Sequence, residues 1–89
     1  MAEVYGATKY SDGGHGWLRV DRKMLARLGV AAEVSTCSYE RAEEVYLEED
    51  CDAPLFIRAM EAAGYSVAVR EVRTADGDSF VRGLRHFRA

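Results

Sequence analysis

Two stretches of the chain, 21–29 and 52–64, carry apolar residues three and four positions apart, and each opens on an aspartate and closes on a glycine. On either side of each lie segments in which apolar and polar residues alternate. Helices this short are not stable alone, so each must lay its apolar stripe on another surface, and the alternating segments supply a sheet to receive it. The chain has 89 residues, 48% of them hydrophobic, which suffices for one small core and argues against disorder. The expectation is a single α+β domain over 1–89.

The elements can be read in order. "EVYGATKYS" (3–11) is a first strand, and "DGGHG" (12–16) is a glycine-rich reversal. "WLRV" (17–20) returns as a strand with Trp17 and Arg19 on one face, Leu18 and Val20 on the other. Asp21 is placed to cap a helix whose face holds Met24, Leu25 and Leu28, with Gly29 just past its end. "EVSTCSYER" (33–41) and "EEVYLEED" (43–50) read as two strands, the first turning Cys37 and Tyr39 to the core and the second half-buried. A second helix is capped by Asp52, tolerates Pro54 in its first turn, carries Leu55, Phe56, Ala59, Met60 and Ala63 on one stripe, and ends at Gly64. "YSVAVREV" (65–72) is the strongest strand by β-branched content, and Asp76–Gly77 predicts a hairpin into "SFVRGL" (79–84). The order is β-β-α-β-β-α-β-β: two layers, a mainly antiparallel sheet, and two short helices on one face.

Charge is segregated. Residues 33–61 hold nine carboxylates against two arginines, a net of −7, while the segments before and after each carry +2. Six of those acids, Glu43, Glu44, Glu48, Glu49, Asp50 and Asp52, fall within ten residues. Such a block repels nucleic acid. It is either a solvated strand edge, with Asp52 as a helix cap, or a surface that occupies a basic groove built for phosphates. Tyr39, Tyr46 and Phe56 would anchor such a surface, because exposed carboxylates mostly set association rate and aromatics hold the complex. The C-terminal "VRGLRHFR" mixes arginine with an aromatic as single-strand binders do, but three arginines make a thin patch.

No stretch spells out a chemistry. "DGGHGWL" matches neither the dinucleotide fingerprint nor the phosphate-loop pattern, so His15 reads as a turn residue packing with Trp17. His15, Cys37, Cys51 and His86 are the available soft metal ligands, but they show no CxxC or HxxxH spacing. Cys51 gains thiolate character from the helix start beside it and loses it to the surrounding acids. Consecutive Glu48, Glu49 and Asp50 fan to alternate faces rather than across a cleft, and "EEDCD" lacks the calcium-loop spacing. The sequence predicts no catalytic residue, no cofactor and no metal site. Two cysteines do not make a secreted disulfide framework, and the start lacks the charged-then-apolar pattern of a signal peptide, so the expected setting is the cytoplasm, with no membrane contact.

Three segments, "DGGHGWLRV", "LGV" and "SYERAEEVYLEEDCDAPLFIRAMEAAG", covering most of 12–64, resemble small proteins encoded by phages, plasmids and integrated mobile elements of bacteria. The resemblance carries over no catalytic residues. It implies a setting, mobile-element cargo, in which short acidic proteins often inhibit host defence, anti-CRISPR proteins among them. The expected function is therefore a non-enzymatic inhibitor of a host nucleic-acid-handling complex, a CRISPR effector being the suspected partner, bound as monomer or dimer. Its binding residues would be Tyr39, Glu43, Glu44, Tyr46, Glu48, Glu49, Asp50 and Asp52. The alternatives are a small enzyme using His15 with Cys51, or an accessory module of a mobile-element complex.

Overall fold

The computed structural model describes residues 3–88 as an α+β fold with one mixed six-stranded sheet and two helices. The strands are β1 (Glu3–Ser11), β2 (Gly16–Asp21), β3 (Tyr39–Arg41), β4 (Glu44–Glu48), β5 (Tyr65–Arg73) and β6 (Arg85–His86); the helices are α1 (Arg22–Leu28) and α2 (Asp52–Ala62). Spatial order is β5-β1-β2-β4-β3-β6. Every pairing is antiparallel except β1 with β5, which run parallel from Glu3↔Tyr65 to Ser11↔Arg73. No helix among the described residues is long and apolar enough to cross a membrane.

Alternation in β2 and β4 sends Leu18, Val20, Val45 and Leu47 to one face, where Leu25 of α1 and Phe56 and Met60 of α2 cover them. Each fully buried side chain of this size contributes about 1.5–3 kcal/mol of transfer free energy. The stripe of α2 runs through Ala53, Phe56 and Met60, so it is centred slightly to one side of Leu55 and Ala63. Gly64, at φ 93°, turns the chain from α2 into β5 through a left-handed conformation that a side chain would strain. The other face of the sheet has its own smaller core, in which Trp17 and Tyr46 pack against Val81. β4, expected to be half-buried, is thus buried on both faces.

Several local expectations are corrected. Residues 79–84 do not form a strand paired with β5; Phe80–Gly83 is a turn of 3-10 helix lying under the second core. The cause is Asp12, whose carboxylate accepts the Ser79 amide at 2.9 Å and the Arg82 guanidinium at 2.6 Å and draws the segment across the sheet. The chain then pairs as β6 with β3, at the edge opposite β5, and buries Phe87 in the helix-side core. Only Tyr39–Arg41 of the expected 33–41 segment is a strand; Glu33 ends a turn of 3-10 helix, and Ser35 and Ser38 are bonded to Asp52. Both cysteines are exposed, so Cys37 does not enter the core.

The helix caps differ too. Asp21 precedes α1 but makes no side-chain cap; its carboxylate faces the Tyr5 hydroxyl at 3.5 Å. Cys51, not Asp52, stands at the cap position of α2. Asp52 is turned inward, where one oxygen accepts from the Ser35 amide and hydroxyl and from the Ser38 hydroxyl. The amides ahead of α2 are met by Glu48, whose Oε1 accepts from Asp50 N at 2.7 Å and Cys51 N at 3.0 Å.

Candidate functional site

The glycine loop is organised by Asp12, whose Oδ1 accepts from the amides of Gly14 and His15 at 3.0 Å each. With Arg82 and the Ser79 amide on the same carboxylate, Asp12 is held far below the usual carboxylate range, chiefly by the Arg82 hydrogen bond. Arg82 in turn lies over the Trp17 ring, 5.2 Å from its centroid. The loop therefore fixes His15 beside Trp17, with its Nδ1 3.3 Å from Glu48 Oε2.

The six acids of the central block separate into three groups. Glu43 precedes β4 and Glu44 opens it, the latter about 13 Å from Glu48 at its end for a strand rising about 3.3 Å per residue. Glu43 is exposed. Glu44 accepts the Tyr46 hydroxyl at 3.0 Å and faces Arg41 and Arg19 at 3.5 and 3.8 Å. Glu48, Glu49 and Asp50 converge at the other end, where one oxygen from each lies within 4.8 Å of the others. Of these, Glu48 is mostly buried, Glu49 pairs with Lys9 at 2.8 Å, and Asp50 is exposed and in no ion pair among the described residues. Gly16 makes room for this corner, since a side chain there would meet Lys9 Cε at 2.6 Å and Glu49 Oε1 at 3.1 Å. Asp52 is buried and points away.

The aromatic residues also separate. Phe56 and Tyr46 are fully buried, in the helix-side and opposite cores respectively, so neither is a surface anchor. Burial, reinforced by the bond to Glu44, pushes the Tyr46 hydroxyl above its ordinary pKa of 10. Tyr39 remains partly open and stacks on His86 with ring centroids 4.5 Å apart. His86 Nδ1 lies 2.6 Å from the Thr36 carbonyl, to which it donates.

Tyr39, His86, His15 and Trp17 line a cavity of about 430 Å³, with Glu48 and Asp50 on its acidic side. The thiols of Cys37 and Cys51 complete its wall. Cys51 is pushed up to about 11, first by the hydrogen bond with Cys37, then by burial and the charge of Glu48. Cys37 and burial, more than the acids, thus outweigh the helix start, and the thiol is protonated at neutral pH. The imidazoles and thiols share the cavity without closing into a metal set; among the described residues, only Glu48, Glu49 and Asp50 bring three ligand atoms within 4.8 Å. Those oxygens suit a cation, and Lys9 already serves Glu49.

Sequence reading located the acids but not the cavity. Arg82 reaches it from a segment expected to be a strand elsewhere and His86 from beyond that segment, and the bond joining Arg82 to Asp12 spans 70 positions with no local signal. Comparison with protein-family models, curated proteins and solved structures gives no match.

Proposed function

We propose that the chain is a non-enzymatic protein-binding inhibitor that blocks a basic nucleic-acid-handling surface of a host complex, in the manner of an anti-CRISPR protein. The observation that carries this reading is the convergence of Glu48, Glu49 and Asp50 at the rim of a cavity walled by Trp17, Tyr39 and two imidazoles. Three carboxylates served by one lysine leave a surplus of negative charge. The cavity beside them, which Arg82 also lines, has the volume for a guanidinium whose donors meet carboxylate oxygens. An arginine that ordinarily holds a phosphate is the side chain this geometry receives. Glu43, at the far end of β4, supplies a second and separate contact. Asp52 and Tyr46 support the fold, and Tyr39 is the aromatic contact. The resemblance to mobile-element proteins supplies the setting.

Asp50 is the residue on which to test this, because reversing Glu48 would also remove the acceptor at the start of α2. Asp50→Lys, and Asp50→Lys with Glu49→Lys, are expected to keep the wild-type circular dichroism and to slow association with a CRISPR effector complex about tenfold or more. Unchanged association by both variants would remove the proposal.

A second reading, a small Cys/His enzyme, is favoured by one observation: His15, Glu48 and Cys51 line the same cavity. It needs a Cys51 thiolate near neutral pH. The raised pKa predicts instead that alkylation of Cys51 in the wild-type chain, located by peptide mass mapping, accelerates only above the range of an ordinary thiol. Fast alkylation at pH 7 would favour the enzyme.

A further inference from the structure

We propose that Cys37 and Cys51 are a modification site, forming a reversible intramolecular disulfide under peroxide that pins the 35–38 loop to the start of α2 and reshapes the cavity. Both thiols are exposed, and both line the same cavity wall. Their backbones are held together without any cross-link. Ser35 and Ser38, on either side of Cys37, donate their hydroxyls to Asp52 Oδ2 at 2.8 and 2.5 Å, and Asp52 directly follows Cys51. The Ser35 amide adds a third bond to the same oxygen at 3.1 Å. The neighbouring Cys37 side chain is the first cause that raises the Cys51 thiol. The segment between them is the β3–β4 hairpin, which carries Tyr39 and Glu48 into the cavity, so a bond there closes a ring around the proposed contact surface. This site stands on the thiols alone and does not rest on the identity of any partner.

The chemistry balances with hydrogen peroxide as oxidant. The sulfur of Cys37 attacks one peroxide oxygen, the O–O bond breaks, and a sulfenic acid and water result. The sulfur of Cys51 then attacks the sulfenic sulfur; the S–O bond breaks, the S–S bond forms, and hydroxide leaves with the thiol proton as a second water. Two thiols and one peroxide become one disulfide and two waters. The thiolate of Cys51 is the attacking form, so this second step quickens as pH rises, and the proton it gives up leaves with the departing oxygen. A thiol such as dithiothreitol reverses the bond by exchange.

The test uses the full chain, oxidised with hydrogen peroxide at mildly alkaline pH, denatured in N-ethylmaleimide and weighed intact. The expected product is a monomer lighter by two hydrogens that takes no maleimide and regains two after dithiothreitol. The emission of Trp17, the chain's single tryptophan, is expected to change with oxidation and return on reduction. Cys51→Ser is expected to end as an oxygen adduct or a cross-linked dimer, never with the two-hydrogen loss in a monomer. A wild-type chain that still takes two maleimides, or accumulates sulfinic acid or intermolecular dimers instead, would overturn the proposal. Disulfide formation without any change in Trp17 emission would overturn the reshaping of the cavity.

Discussion

Asp12 shows how much of this molecule depends on one side chain that looked like part of a turn. Its carboxylate orders the glycine loop, accepts the Ser79 amide and holds Arg82, which covers Trp17. Because its folded pKa is depressed below the ordinary value of 3.8, the stability it contributes is fully present above that value and lost as pH falls through the folded one. Asp12→Asn is expected to unfold at lower denaturant than wild type from neutral pH down to about pH 5, with the difference shrinking at more acid pH. Equal midpoints at pH 7 would contradict the role given to Asp12, and chemical denaturation across pH measures it. The same scale separates what the acidic run concealed. "EEVYLEED" displays six similar charges in sequence, counting Asp52 beyond it, yet Glu48 meets helix amides, Asp52 meets two serines, and Glu44 meets a tyrosine and two arginines. Composition reveals the charge. Which carboxylates are consumed internally depends on partners up to 40 positions away, and no periodicity encodes that.

Strands and helices were the legible level, with instructive exceptions. β1, β2, α1, α2 and β5 fall where alternation, helical spacing and closing glycines place them, because each is specified by its own residues. The failures are segments whose conformation is set by distant partners: 33–38 by Asp52 and 79–84 by Asp12. β-Branched content also misleads about rank. β5 is the richest strand by that measure, yet it is an edge strand with Val69 and Val72 exposed, whereas β4, dense in charge, is central and buried on both faces. Arg70, Glu71 and Arg73 on the open edge discourage further pairing. The contrast gives a stability prediction. Leu47→Ala in β4 is expected to cost about 2–5 kcal/mol, since it opens a cavity in the helix-side core. Val69→Ala in β5, about half exposed, is expected to stay within about 0.5 kcal/mol. Urea unfolding followed by Trp17 fluorescence measures both, and similar losses at the two sites would contradict the order of burial.

Across the whole molecule, the C-terminal segment acts as a strap. It runs under the second core through Val81, adds β6 to the edge of β3, and inserts Phe87 among the helix-side residues. That path brings Arg82 and His86 to the cavity wall. The basic ends and acidic middle seen in the sequence are thus interleaved in space: Lys9 sits on Glu49, Arg22 on Glu40 and Arg19 faces Glu44. Much of the segregated charge cancels internally. Glu48, Glu49 and Asp50 keep a surplus of negative charge beside a cavity where aromatic rings and carboxylates meet, and the proposed function rests on that surplus. The direct measurement is displacement of target DNA from a purified CRISPR effector complex by the wild-type chain and by Asp50→Lys, over a range of salt. The account predicts that the wild type releases DNA, that its potency falls as salt rises, and that Asp50→Lys is at least about tenfold weaker. Displacement by both chains with equal potency at every salt concentration, or by neither, would contradict it.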